Sequence, residues 1–242
     1  GFSEYVYEQN SYSHSLRRDA ASYGFLYPRQ ESSDNLCGGI RIHKIITNPM
    51  VRTYVYETGG RSSGVLERYP EYFHCLRIKD KASGYIYQQT SMASFCTFSY
   101  PLDAHDVIYP HVVEILGNGA RTETYFTSVL DAENRDEYPE ASTIVRFKPE
   151  DMSAFDMNNA VVSPDSRHYL RGRQKQIRHY SAESHEPWKI ERYGYSQMSV
   201  ALHDCYSCAR IAVVATYPHR IFLQNTILKE IETVLLDGSD SL

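Results

Sequence analysis

The segment from His203 to Cys208 contains the residue types that bind a metal ion. Cys205 and Cys208 are separated by two residues and could supply two thiolate ligands to zinc, with His203 as a third. A structural zinc site needs a fourth ligand, usually from a second pair of cysteines or histidines, and the sequence has no such pair. No proline precedes Cys205, so the pattern of the zinc-dependent deaminases is also incomplete. We therefore predict no metal site.

Motifs for nucleophilic catalysis are also missing from the sequence. It contains neither the Gly-x-Ser-x-Gly turn of hydrolases nor the glycine-rich phosphate loop of nucleotide-hydrolysing enzymes. Adjacent pairs such as His105-Asp106 are expected by chance in a chain with 10 His and 30 acidic residues. We interpret the polar run from Glu183 to Glu186 as solvated surface. The prediction is a protein that is not an enzyme and has no catalytic residues.

The densest group of basic residues lies in the last third of the chain. A phosphate or a nucleotide could bind to such a group through charge-assisted hydrogen bonds, so a bound nucleotide is one interpretation. A solvated helix face or an edge that contacts a partner is the alternative. The four residues are Arg171, Arg173, Lys175 and Arg178.

Tyrosine and arginine are unusually frequent in this chain. It has 21 Tyr and one Trp, and 18 of its 25 basic residues are Arg. Both residue types are enriched at protein–protein contacts, where large and partly polar groups lose water but keep hydrogen bonds. Tyrosine also suits β-strands, so a tyrosine-rich β-protein without unusual contacts is the competing interpretation.

Closely spaced tyrosines could make contacts between molecules sensitive to alkaline pH. A free tyrosine ionises near pH ~10, and a tyrosine buried in a dry contact has a raised pKa because desolvation disfavours the phenolate. Such contacts are stable at pH values below the pKa of a free tyrosine, and they weaken as the pH rises through the raised pKa of the buried one. Residues two apart share one face of a strand. The candidate residues for this pH switch are Tyr54, Tyr56, Tyr85, Tyr87, Tyr193 and Tyr195, and Tyr5/Tyr7 has the same spacing.

Short alternating segments separated by turn residues predict a mainly β protein with some helix. Turns are predicted at Asn48-Pro49, over Thr58 to Gly64 and at Gly117-Asn118-Gly119. Close spacing of short strands favours a β-sandwich, of a jelly-roll-like kind, over alternating βαβ units. The predicted strands are Ile40 to Ile46, Val51 to Glu57, Tyr72 to Ile78, Val107 to Leu116, Thr122 to Leu130, Thr143 to Phe147 and Gln197 to Leu202.

Three segments are predicted to be helical and two to be loops. A short helix is predicted over Phe2 to Gln9, a second over Pro164 to Ile177, where Ser163 could cap it, and a third over Ile221 to Leu236. The segments Gln30 to Gly39 and Asp131 to Tyr138 read as loops, the second acidic and at the surface. Periodicity leaves Asp204 to Ala215 open between helix and strand.

Bulk composition excludes several classes of protein. The chain has 242 residues, a net charge of -5 and a pI of about 6.1, which gives no electrostatic case for binding nucleic acid. No stretch approaches the ~20 apolar residues that span a bilayer, and the first ten residues do not resemble a secretory signal. Five scattered cysteines and no glycosylation sequon predict a reduced, cytoplasmic setting.

Three patches of this sequence resemble the polyhedrins of cypoviruses. The first begins with a short strand that ends in proline, and the second resembles the Asn/Tyr/Ser-rich segment that follows the N-terminal helix of that family. The third resembles its C-terminal strand and the helix after it. The patches are Ile144 to Pro149 with Asn159-Ala160-Val161, Pro164-Asp165 and Tyr169-Leu170; Glu8 to Leu16; and Tyr195 to Leu202 with Ser207-Cys208.

The resemblance implies a structural protein that forms trimers of β-sandwich subunits. Such trimers pack into a crystal in the cytoplasm of the infected cell, around virus particles, and the crystal dissolves at alkaline pH. It implies an N-terminal assembly arm, placed here at residues 1–20 with Phe2, Tyr5, Tyr7 and Tyr12, and one β-sandwich domain at 21–242. The implied partners are other copies of the chain and virus particles, with no membrane, no specific nucleic acid and no required cofactor.

A second resemblance points to another class of protein. The segment Ala201 to Cys208, running into Val213-Val214, is similar to the last strand of the ligand-binding domains of Eph receptors. The alternative function is therefore a monomeric β-sandwich that binds a ligand, of receptor or capsid type. Large particles at neutral pH would favour the self-assembling matrix, and a monodisperse solution would favour the binding module.

Overall fold

A computed structural model describes eleven segments of the chain. They are residues 2–19, 25–67, 73–80, 86–92, 107–137, 145–146, 152–155, 167–198, 205–211, 215–221 and 225–236. These segments are mainly β-strand, as the sequence predicts. No helix that is long and apolar enough to cross a membrane occurs among the described residues.

Eighteen strands are present in the described segments. In chain order they are β1 (Ser3–Asp19), β2 (Phe25–Thr47), β3 (Met50–Val55), β4 (Glu57–Thr58), β5 (Arg61–Ser62), β6 (Val65–Leu66), β7 (Phe73–Asp80), β8 (Ile86–Met92), β9 (Val107–Ile108), β10 (His111–Leu116), β11 (Arg121–Phe126), β12 (Val145–Arg146), β13 (Met152–Phe155), β14 (Gln174–Tyr180), β15 (Lys189–Met198), β16 (Cys205–Ile211), β17 (Ala215–Ile221) and β18 (Asn225–Leu235).

Ten of these strands form one large sheet. Its order is β18-β15-β14-β11-β10-β3-β2-β1-β6-β9, and neighbouring strands are antiparallel except for β1 and β6. Two further sheets have three strands each, in the orders β12-β17-β16 and β13-β7-β8, and β4 pairs with β5 in a short hairpin. The large sheet carries the tyrosine groups and the cavity discussed below.

The predicted turns are confirmed and set the register of the sheet. Asn48-Pro49 joins β2 to β3, and Gly117-Asn118-Gly119 joins β10 to β11. Gly59 and Gly60 connect β4 to β5 with φ values of 61° and 76°, which glycine adopts without the steric cost of a Cβ atom. Each predicted strand also overlaps an observed one, although Thr122 to Leu130 is strand only as far as Phe126 and Val107 to Leu116 is divided into β9 and β10. Tyr72, residues 143–144, Phe147 and residues 199–202 lie outside the described residues.

The predicted loop from Gln30 to Gly39 is wrong, because β2 continues through it. This segment pairs with β1, and Tyr12 lies opposite Asn35. The register shifts between Gln9 and Ser11 and again between Tyr12 and His14. The turn-forming residues are accommodated as irregularities in the ladder: Gly39 has φ 86°, and Asn10 donates to the carbonyl of Gly38 over 3.1 Å. Cross-strand pairing therefore outweighs local turn preference here.

The three predicted helices are also wrong. Ser3 to Gln9 belongs to β1. Ile221 ends β17, residues 222–224 lie outside the described residues, and Asn225–Leu235 is β18, paired along its length with β15. In the segment Pro164 to Ile177, residues 164–166 lie outside the described residues, and a 3₁₀ turn at His168–Leu170 is followed by β14. Apolar spacing in these short segments fits either structure, and pairing with a neighbouring strand favours the extended one. The segment left open, Asp204 to Ala215, is strand β16 over its residues 205–211.

The best-buried core of the described chain lies where β1, β6 and β9 meet. Leu16, Val65, Leu66 and Ile108 are almost completely buried there. Gly64 lies beside this core, and its carbonyl accepts hydrogen bonds from the backbone of β1 over 3.0 and 3.2 Å. A Cβ atom at Gly64 would lie 2.2 Å from the carbonyl oxygen of Ser11, so only glycine allows β1 to approach this closely.

We expect the Gly64→Ala substitution to destabilise the protein by about 1–3 kcal/mol, the usual cost of overpacking a tight site. The control is Gly38→Ala, because Gly38 is exposed and an added Cβ atom would meet nothing within 4 Å. Urea unfolding measures both variants. Equal stability of the two would contradict the packing described here.

Candidate functional site

Two tyrosines on neighbouring strands share one carboxylate at the centre of the large sheet. The hydroxyl of Tyr125, on β11, donates to Glu123 over 3.0 Å. The hydroxyl of Tyr180, on β14, donates to the same oxygen of Glu123 over 2.9 Å. Glu123 and Tyr125 are two residues apart on β11, so their side chains lie on the same face of the sheet. Tyr180 pairs with Arg121, which lies on that face as well, so all three side chains share it.

Ionising either phenol would replace a hydrogen-bond donor by a second negative charge beside Glu123. Burial raises the pKa of Tyr125 to about 12, and the carboxylate of Glu123 acts in the same direction, while Arg178 opposes both. Burial also raises the pKa of Tyr180, aided by its hydrogen bond to Glu123. The neutral phenols therefore stabilise this part of the sheet at neutral pH.

Two similar pairs lie on the opposite face of the sheet. Tyr193 donates to Glu191 over 3.0 Å within β15, and Tyr54 on β3 donates to Glu114 on β10 over 3.4 Å. Burial raises the pKa of Tyr193 and that of Tyr54, and the neighbouring carboxylate contributes in each case. Tyrosine–carboxylate pairs thus occur on both faces.

Tyr56 and Tyr109 form a further tyrosine group. Unlike the tyrosines above, neither donates a hydrogen bond to a carboxylate among the described residues. Their ring centroids are 4.8 Å apart, and the guanidinium of Arg41 lies 4.4 and 4.8 Å from the two centroids. Tyr56 donates to the carbonyl of Ile42 over 2.7 Å, and burial raises its pKa to about 12. Burial also raises the pKa of Tyr109, although Arg41 opposes this.

The six tyrosines predicted as pH-switch candidates have different surroundings. Tyr54, Tyr56 and Tyr193 have raised pKa values and defined hydrogen bonds. Tyr195 lies on the same strand as Tyr193 and forms no side-chain hydrogen bond in the part of the chain that the structure describes. Tyr87 lies in β8, where the backbone alone is described, and Tyr85 lies outside the described residues.

Sequence reasoning missed Tyr109, Tyr125 and Tyr180. For Tyr125 a local signal exists, because Glu123 precedes it by two residues, and Glu191 precedes Tyr193 in the same way. A Glu-x-Tyr pattern in a strand places a carboxylate beside a phenol on one face. Tyr180 lacks such a signal, since its partner lies on another strand.

The predicted assembly-arm residues divide into exposed and buried ones. Phe2, Tyr5 and Tyr7 are exposed by 67%, 51% and 52%, whereas Tyr12 is only 7% exposed. Ser3–Asp19 is a sheet strand that pairs with β2, and the exposed members of the group are the ones nearest its start.

A buried cluster of charged side chains lies at the end of β6. Arg171 is fully buried, and its two terminal nitrogens lie 3.5 Å from the Glu67 carboxylate and 2.5 Å from that of Asp136. Its Nε donates to the carbonyl of Asn134 over 3.0 Å. The backbone N–H of Arg167 also donates to Asp136, over 2.9 Å. The segment Asp131 to Tyr138, of which Tyr138 lies outside the described residues, was predicted as a surface loop, and this is wrong for the buried side chains of Asn134 and Asp136.

The charges of this cluster do not balance when both carboxylates are ionised. One guanidinium faces two carboxylates, and the Asp136 oxygen has the shorter contact. Burial raises the pKa of Glu67 to about 7; Arg171 opposes this and Asp136 adds to it. His168 Nδ1 lies 3.9 Å from Glu67 and is a further titratable group beside it. Glu67 therefore takes up a proton near neutral pH.

The four basic residues predicted to bind a phosphate together are separated by the fold. Arg171 belongs to the buried cluster, and Lys175 forms an ion pair with Asp131 over 2.7 Å. The backbone of Arg173 is hydrogen-bonded to Thr127, and the guanidinium of Arg178 lies 5.0 Å from the centroid of the Tyr125 ring. The predicted helix face is wrong because residues 174–180 form an extended strand.

Lys175 and Arg178 nevertheless line a cavity of about 470 Å³ on the Tyr125 face of the sheet. Its walls also include Arg192 from β15 and the apolar side chains of Phe126 and Leu130. This is within the range of volumes that small-molecule sites have in proteins.

The cysteines predicted as the best metal ligands lie in strand β16. Cys205 pairs with Ile221 and Cys208 with Pro218 in β17, while His203 lies outside the described residues. Among the residues that the structure describes, no group of three or more His, Cys, Asp or Glu side chains could hold a metal ion.

Neither a protein-family model, nor a curated protein, nor a solved structure matches the chain. Inferences about function therefore rest on the geometry of the residues above.

Proposed function

We propose that the protein is a structural protein that self-assembles into the crystalline matrix of viral occlusion bodies. In this proposal trimers pack into a crystal in the host cell cytoplasm, surround virus particles and dissolve at alkaline pH. The protein performs no catalysis. The observation that carries the proposal is the set of tyrosines with raised pKa values, placed beside carboxylates on both faces of the large sheet.

The tyrosine–carboxylate pairs link alkaline pH to loss of structure. A group whose pKa is raised in the folded protein makes its full contribution to stability when the pH is below its pKa in the unfolded chain, which is ~10 for tyrosine. That stability is lost as the pH rises through the folded value, which is about 12 for Tyr56 and Tyr125. Lysines lose their charge in the same range while arginines keep theirs, so the chain also becomes more negative. Both effects favour dissolution of an assembly.

Assembly contacts are supported by the exposed side chains of the β1–β2 pair. Phe2, just before β1, Tyr5 and Tyr7 on β1, and Leu36 and Ile40 on β2 are each more than half exposed. Large aromatic and aliphatic groups at a surface are the usual anchors of protein contacts. We assign to them the contacts between neighbouring molecules, and we place the assembly arm at residues 2–8 because Tyr12 is buried.

The proposal includes a β-sandwich, of a jelly-roll-like kind, as the subunit fold. A ten-stranded sheet has two faces, and an apolar face is stable when another layer covers it. The sheets β12-β17-β16 and β13-β7-β8 are the proposed source of that second layer.

Substituting Tyr5 and Tyr7 together by threonine is expected to abolish particle formation at neutral pH while the fold is kept. Both side chains are half exposed, and threonine retains the strand. Loss of two aromatic anchors should raise the protein concentration needed for assembly roughly tenfold or more. Light scattering against protein concentration measures this, with circular dichroism as the check on the fold.

The matched control replaces Leu228 and Ile231 by threonine. These residues are exposed by 45% and 52% and lie on β18, at the far edge of the same sheet. Particles that form equally well in both double variants would exclude the assembly arm.

A monomeric module that binds a small ligand is the second candidate function. The cavity of about 470 Å³ beside Tyr125 favours it. Analytical ultracentrifugation at neutral pH separates the two candidates, because the matrix protein sediments as trimers and larger particles and the module as a single monomeric species.

A further inference from the structure

The cavity on the Tyr125 face combines an apolar wall with three cationic side chains. Phe126, Leu130 and Pro110 contribute apolar surface, while Lys175, Arg178 and Arg192 contribute the positive charges. A cavity with both features suits a ligand that has an apolar body and an anionic group.

The three cations differ in how far protein carboxylates already neutralise them. Lys175 is paired with Asp131 over 2.7 Å, and Arg192 is paired with Glu232 over 3.0 Å. Arg178 forms no ion pair with a carboxylate within the described segments. Arg178 is therefore the cation that a ligand anion can neutralise.

The guanidinium of Arg178 is held in a fixed orientation. Its Nε donates to the side-chain carbonyl of Gln176 over 3.0 Å, and its plane lies over the ring of Tyr125 at 5.0 Å from the centroid. The register places Glu123 opposite Arg178, but the Glu123 carboxylate accepts from two tyrosines and lies 3.6 Å from Arg121. Arg178 also interacts with the hydroxyl of Tyr180, and its terminal nitrogens are the groups suited to bidentate bonding to an anion.

We propose that this cavity binds a small aromatic carboxylate or sulfonate. The acid group bonds to Arg178, and the ring packs against Tyr125, Phe126 and Leu130. An aromatic body fits because planar rings pack well on aromatic side chains, and the volume holds one compact molecule. This inference is independent of the proposed assembly, since both a matrix protein and a binding module could carry the site.

The test uses anilinonaphthalenesulfonate, a fluorescent aromatic sulfonate, together with uncharged phenylnaphthylamine. Fluorescence titration of the full chain at neutral pH is expected to show one saturable site for the sulfonate, weakened by salt. Arg178→Gln should raise the dissociation constant of the sulfonate roughly tenfold, the usual effect of losing a charge-assisted bond. The affinity for the uncharged probe should change less than twofold.

Two further variants keep the outcome decisive. Arg178→Lys retains the charge and should bind the sulfonate more tightly than Arg178→Gln does. Arg52→Gln removes an exposed arginine on the opposite face, and its affinity should equal that of the original protein. Equal loss of both probes in Arg178→Gln, or unchanged sulfonate binding in a variant with an intact circular dichroism spectrum, would overturn the proposal.

Discussion

Replacing Arg171 by methionine is expected to lower the free energy of unfolding by about 3–5 kcal/mol, the usual cost of removing one partner from a buried ion pair. The guanidinium is fully buried and contacts the carboxylates of Glu67 and Asp136. Without it, the buried carboxyl groups of Glu67 and Asp136 lose the guanidinium that both contact. Urea unfolding at neutral pH, followed by circular dichroism, measures the loss.

Arg52→Met is the matched control for this prediction. Arg52 is 47% exposed and lies 3.4 Å from Glu114, so its loss should cost less than about 1 kcal/mol. The double variant Arg171→Met/Glu67→Gln should recover part of the stability, because it removes one of the uncompensated carboxylates. If Arg171→Met is as stable as Arg52→Met, the buried cluster is not a structural element.

The same cluster makes stability depend on pH near neutrality. The pKa of Glu67 is raised from its ordinary value of 4.5 to about 7 in the folded protein. Its protonated form therefore makes its full contribution to stability when the pH is below 4.5. This contribution, about 3 kcal/mol, is lost as the pH rises through 7. Glu67→Gln, which cannot ionise, should therefore show a flatter dependence of stability on pH between 5 and 8.

The second large effect is expected at alkaline pH from the tyrosines that share Glu123. The double variant Tyr125→Phe/Tyr180→Phe should lose less stability than the original protein between about pH 10 and pH 12. A pKa of about 12 for Tyr125 corresponds to about 3 kcal/mol for a fully sheltered phenol, and we halve this because the ring is partly exposed. Tyr180 adds a further contribution of the same sign.

At neutral pH this double variant should be slightly less stable, by about 1–2 kcal/mol, because two hydrogen bonds to Glu123 are lost. The informative result is thus the slope of stability against pH, measured by urea unfolding at a series of alkaline pH values. Tyr195→Phe is the control, since this tyrosine has no side-chain hydrogen bond in the described part of the chain. An alkaline slope that is the same in all three proteins would show that these phenols are not the titrating groups.

Alternation and turn residues located part of the strand pattern, including β3, β7, β10 and β11, but the three segments predicted to be helical contain strands instead. The hairpin of β10 and β11 follows directly from the Gly117-Asn118-Gly119 turn and the apolar residues around it. In β18 the apolar residues Ile227, Ile231 and Val234 have helical spacing, and yet the segment is extended because β15 pairs with it. Pairing between distant segments is absent from a local pattern, and it decides such ambiguous cases.

The same limit explains which parts of the candidate site could be predicted. Tyr54, Tyr56 and Tyr193 were found from their spacing along single strands. The contact of Tyr180 with Glu123 joins residues 57 positions apart, so it depends on the register between β11 and β14. The buried cluster likewise joins Glu67 to a segment that its acidic composition made look solvated.

The most direct test of the proposed function is light scattering of the expressed protein from neutral pH to about pH 12, the range in which tyrosines ionise. Phenolate absorbance is recorded on the same sample. We expect large particles at neutral pH that dissolve cooperatively above about pH 10, in step with the rise in phenolate. A clear, monodisperse solution at every pH would contradict both the self-assembling matrix and its tyrosine switch, and it would favour the monomeric binding module.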